Sequence, residues 1–160
     1  SHVLPPKYRA PQAAYTTLHH IISKVGRRLR QNGYLAGQVA LSLRLLNNQG
    51  KSEQAYKFFN ITPANDTISL IHHVQRLWQI INPKQPILQI AIWTSNLVIA
   101  EEIPNPLFES DHKRLRLSRA LDSINDRFGY NMIRLAITDT DGSRAPDRIS
   151  FTALFDIEQE

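Results

Sequence analysis

The sequence contains no cysteine. That excludes a disulfide framework, a thiolate metal centre and a cysteine nucleophile, and it fits a reducing cytosol. Glycine is scarce, six in 160 residues. Neither a glycine-rich phosphate cradle nor a nucleophile elbow can be found among them. No apolar run approaches the about 18–20 residues of a membrane span, and no secretory signal pattern opens the chain. Ser1 and His2 stand where an initiator methionine would, which suggests a piece of a longer chain or a tag remnant. Acidic residues are nearly missing from the first sixty positions, where nine Lys or Arg face Glu53 alone. The remaining hundred hold ten basic and thirteen acidic groups, so the net +5 conceals a strongly basic first part. An excess concentrated in that way favours a polyanionic partner over generic solubility.

What is present is regular patterning. Pro11 suits the first turn of a helix running to about Gln31, with Ala14, Leu18, Ile21, Ile22, Val25 and Leu29 at 3.6-residue spacing and Gly33 as its stop. Residues 38–45 alternate as a strand with one wet face. The turn-rich stretch 47–54 leads into a second strand, 55–61, paired with the first as a hairpin. Asp66 caps a helix to about Asn82, where Pro83 bars continuation. Residues 86–95 alternate again. A short first strand, helix, strand, strand, helix, strand makes an antiparallel-rich sheet with both helices on one face. The other face is left to solvent or a ligand. After the linker 100–111, a basic helix is expected over about 110–128, with Leu117, Leu121, Ile124 and Phe128 as its apolar stripe and Gly129 as its stop. Residues 131–138 and 148–155 alternate as a closing hairpin.

Several stretches, in order, resemble the C-terminal part of the Y-family, or translesion, DNA polymerases. They are SHVLPP (1–6), HHIISKVGRRLRQNGYLAGQVALSLRL (19–45), DTISLIHHVQRLW (66–78), PLFESDHKRLRLSRALDSINDRFG (106–129) and APDRISFT (145–152). None is a catalytic motif; order and combination carry the likeness. The resemblance implies a "little finger": an α+β domain with a mixed, largely antiparallel four-stranded sheet backed by two helices, here residues 1–99. Residues 100–160 then supply the linker, the basic helix and the C-terminal hairpin. It also implies a DNA-binding, non-catalytic role in damage tolerance within a bacterial cytoplasm, at the nucleoid. The metal-binding palm, and the Mg2+ it would hold, lie outside this chain, so no cofactor is expected in it.

A duplex laid on an open sheet meets phosphate oxygens, which take Lys, Arg and hydroxyl or amide donors without base preference. The wet face of 38–44 offers Gln38, Ser42 and Arg44. Ser1 and His2 qualify by position, where the family's first little-finger strand meets the backbone. Lys57 lies on the second strand, its face left open by the adjacent Phe58 and Phe59. Gln89 and Trp93 share the open face of the last strand. Each has a plainer reading: Arg44 as a solvated strand residue, Trp93 as packed on a neighbouring segment. Arg27, Arg28 and Arg30 sit on a helix away from the duplex, as a solvated face. Lys113, Arg114, Arg116 and Arg119 read equally well either way.

The pairs His19-His20 and His72-His73 point about 100° apart on helices and do not make a zinc site. Residues 138–142, TDTDG, lack the remaining ligands of a calcium loop and suit a hairpin turn. A second function is protein recruitment. Residues 103–108, IPNPLF, fall where related polymerases carry a clamp-binding peptide; Leu107 and Phe108 match its ending, while Pro104 stands at the glutamine position. The alternative function is therefore an interaction module of a mutasome accessory factor, binding a sliding clamp or partner polymerase.

Overall fold

The computed structural model describes residues 1–103, 109–129, 132, 133 and 135. The first strand, β1 (His2–Val3), leads through a 3-10 turn (Pro6–Tyr8) into α1 (Pro11–Gln31). The long hairpin β2 (Tyr34–Leu46) and β3 (Ser52–Ala64) follows, then α2 (Thr67–Ile81) and β4 (Ile87–Ile99). A second 3-10 turn (Ala100–Glu102) precedes α3 (Glu109–Phe128). The expected closing hairpin, and Asp141-Gly142 within it, lie outside the described residues. Met132 and Ile133 form a bend directly after α3.

Local chemistry sets the boundaries. Pro11 occupies the first turn of α1, and Gly33, at φ 71°, takes the left-handed position just after the Asn32 cap. The Asp66 carboxylate accepts from the Ser69 amide at 2.9 Å, closing the N-terminus of α2. Asn82 is left-handed at φ 47°, and Pro83 follows it. Between β2 and β3 the Asn47 side chain accepts from the amides of Gln49 and Lys51, at 3.0 and 2.9 Å, which holds the turn.

The four strands form one antiparallel sheet in the order β1-β4-β2-β3. Val39, Leu41 and Leu43 of β2 and Ile87 and Ile90 of β4 are buried against Leu18 and Ile22 of α1 and Leu70, Val74 and Leu77 of α2. The period of two in the strands and of 3.6 in the helices therefore meet in one layer. The result is the α+β sheet-and-helix architecture expected from the pattern, with β2, β3 and β4 each longer than the alternation alone suggests. Gly37 explains part of β2. A Cβ there would come within 2.8 Å of the Asn96 carbonyl oxygen, so only glycine lets β4 pass this closely.

Across the outer side of the two helices lies α3. Asp122 takes two hydrogen bonds from Arg30, at 2.6 and 2.9 Å. Asp126 pairs with Arg27. The Ser118 hydroxyl, buried, accepts from the Thr67 amide at 3.2 Å. The described part of the C-terminal sixty residues thus sits on the helix layer and makes the sequence sheet, helices, helix in cross-section.

A candidate nucleic-acid interface

One face of the sheet carries the candidate site, and the strand register decides its membership. Gln38, Ala40, Ser42 and Arg44 of β2 stand opposite Asn60, Phe58, Tyr56 and Gln54 of β3. On the other side they face Ser95, Trp93, Ala91 and Gln89 of β4. Val3 joins them opposite Gln89. These positions alternate with the buried Val39, Leu41 and Leu43, so they share the side away from α1 and α2.

Polar side chains on this face are linked crosswise. Ser95 donates to Gln38 at 2.7 Å, and Gln38 donates to Asn60 at 2.9 Å, bridging three strands. Gln54 donates to the Ser42 hydroxyl at 3.0 Å. Three large rings rise beside them. Tyr56, Phe58 and Trp93 are 49%, 50% and 50% exposed. Tyr56 and Trp93 come from strands separated by β2, yet their centroids are 6.2 Å apart, because Ala40 and Ser42 between them are small. Phe58 lies 6.1 Å from Tyr56.

Of the residues singled out from the sequence, Gln38, Ser42, Arg44, Gln89 and Trp93 share this face. Lys57 does not: it is in register with Leu41 and points to the helix side of the edge strand β3. His2 is in register with Ile90 and is buried, with no hydrogen-bond partner for Nε2 among the described residues. Burial pushes its imidazole below the ordinary histidine range, and the nearby N-terminal amine and Lys24 push it the same way. Ser1 is exposed beside it, and burial of its amine lowers that group too. Leu107 and Phe108 lie outside the described residues, as does 138–142. Among the described residues no cluster of three or more histidine, aspartate or glutamate side chains could hold a metal ion.

Two corrections follow. The basic excess of the first sixty residues does not gather on the open face. Arg44 is its one basic side chain among the described residues, and it has no acidic one. Nor are the arginines of α1 merely a solvated face, since Arg30 is 7% exposed and holds Asp122, the Asn65 carbonyl and the Thr67 hydroxyl. The residues missed were Tyr56 and Phe58. Their signal was available: two aromatics at i and i+2 on a strand, in register with small residues opposite.

A four-stranded antiparallel sheet with two helices on one face and a polar and aromatic surface on the other defines a sheet-platform domain of the little-finger type. The impB/mucB/samB family C-terminal domain matches residues 1–106, and the chain belongs to that family, the C-terminal region of Y-family polymerases. It is also similar to DNA polymerase IV of Moorella thermoacetica, 27% identical over 140 residues. That match covers 86% of this chain and 34% of the relative, so the chain spans about a third of that protein's length.

Proposed function

We propose that this chain is the DNA-holding module of a translesion polymerase-like protein. It lies along primer–template duplex through the open sheet face without reading sequence, in DNA damage tolerance. The observation that carries the reading is that face: α3 docks on the helix layer instead, and among the described residues the strand positions on the open side hold donors and no carboxylate. Family membership and the DNA polymerase IV relative support it. Amide and hydroxyl donors suit phosphate and sugar oxygens, which position a duplex without specifying bases. Nucleotidyl transfer, and the magnesium it uses, belong to a palm elsewhere in such a protein.

The modest number of cations sets the expected salt response. Arg44 on the face and Lys51 at the hairpin tip supply about two phosphate contacts, hence a log–log slope of about −1.8. Duplexes of random sequence, titrated across a salt series, test this. Arg44→Ala is expected to shallow the slope by about 0.9 and to weaken all sequences equally. A flat salt response, or a slope indifferent to Arg44→Ala, overturns the reading.

A further inference from the structure

The ring cluster is not what a surface for phosphate alone requires. Phosphate oxygens are held by cations and donors, whereas Tyr56 and Phe58 of the edge strand β3 and Trp93 of β4 place three half-exposed aromatic rings midway along the strands. Among the described residues nothing packs over them, and Ala40, Ala91 and Ser42 keep the floor low beside them. Amides and hydroxyls border the rings, with Gln38 tying Asn60 to Ser95. Such a border suits a partner that combines flat apolar faces with polar edges. Charge narrows the choice further. On the open side Arg44 is the one charged strand residue among those described, with Lys51 at the hairpin tip; Lys57 and Glu53, opposite Leu41 and Leu45, both lie on the helix side, and β4 has no charged residue. A flat, polar-edged and anionic partner is an unpaired nucleic-acid strand.

We propose that the open face stacks unpaired bases of single-stranded DNA on Tyr56, Phe58 and Trp93, while Arg44 meets the backbone. This rests on the reading that the open face is the DNA side, and it adds that the face prefers an unpaired stretch to a closed duplex. In a duplex the π-faces of the bases are already stacked on one another; in an unpaired strand they are available to protein rings, and such stacking tolerates any sequence.

The test compares a fluorescently labelled decathymidylate with a labelled duplex of equal length at fixed salt, using the 160-residue chain. Wild type is expected to bind decathymidylate more tightly and to show quenched tryptophan emission as it does so. Tyr56→Ala and Trp93→Ala should each weaken decathymidylate binding by about 5- to 150-fold, the range that follows from losing one stacked base. Duplex binding should change less than about threefold, because duplex binding rests on backbone contacts. Trp93→Phe should retain most of the single-strand affinity, and Trp93→Ala should abolish the quenching. All three rings are half-exposed, so thermal melting should confirm intact variants. Equal losses on both DNA forms, or single-strand binding without quenching, overturn the stacking proposal and leave the duplex reading standing. Failure of wild type to bind either form overturns both.

Discussion

Removal of the Asp122 carboxylate is expected to release α3 from the helix layer without unfolding the sheet. Arg30 is 7% exposed and Asp122 19%, and both guanidinium–carboxylate hydrogen bonds are short, 2.6 and 2.9 Å. After Asp122→Ala the guanidinium keeps, among the described residues, the Asn65 carbonyl and the Thr67 hydroxyl. Breaking a fully buried pair from one side costs about 3–5 kcal/mol. Water reaches Asp122, and α3 can lift away and rehydrate Arg30, so the loss is capped by the docking energy of α3. We expect about 1.5–3 kcal/mol, which corresponds to about 10- to 150-fold faster hydrogen exchange across α3. Amides of β2 and β4 should keep their protection. The joint replacement Arg30→Met with Asp122→Leu should restore most of the loss, because two apolar groups leave no orphaned charge. Unchanged α3 exchange in Asp122→Ala, or a double-mutant coupling below about 0.5 kcal/mol, would refute the reasoning.

Gly37→Ala should destabilise the domain by more than the usual strand substitution, about 2 kcal/mol or more, since the new methyl meets backbone rather than a yielding side chain; chemical denaturation measures it. Acid should weaken the fold through His2 and His73. Burial is the first cause of lowering for both, so the unfolded chain binds more protons, and stability falls as pH drops below about 6.5. His2→Phe should flatten that dependence between about pH 7.5 and 5 when melting temperatures are compared, and an unchanged pH slope would show that His2 is not its source.

The helix ends were legible because each rests on one residue with one physical job: Pro11, Gly33, Asp66 and Pro83. The strands were legible in place but short in extent. Tyr34–Gly37 and Asn96–Ile99 do not alternate cleanly; pairing between these two ends of β2 and β4, around Gly37 and the positive φ of Asn96, keeps them in the sheet. The docking of α3 could not be read. Its apolar stripe of Leu117, Leu121, Ile124 and Phe128 suggests the buried side, yet Leu117 and Phe128 are exposed and the seat is made by Arg114, Ser118 and Asp122. Periodicity reports apolar faces, and this interface is polar. For the candidate site, β2 was read correctly from its alternation. Lys57 and His2 were not assignable, because two adjacent phenylalanines and a two-residue strand give no unambiguous period; only the register with Leu41 and Ile90 settles them.

The position of β3 at the rim of the sheet bears on how the protein behaves in concentrated solution. Among the described residues, this thirteen-residue strand has a hydrogen-bonded neighbour on one flank only, so outward amides and carbonyls could template a second chain. Lys57 near mid-strand brings charge repulsion to any copy approaching in parallel, and Pro63 removes a donor close to the end. These two residues discourage such templated aggregation along the strand.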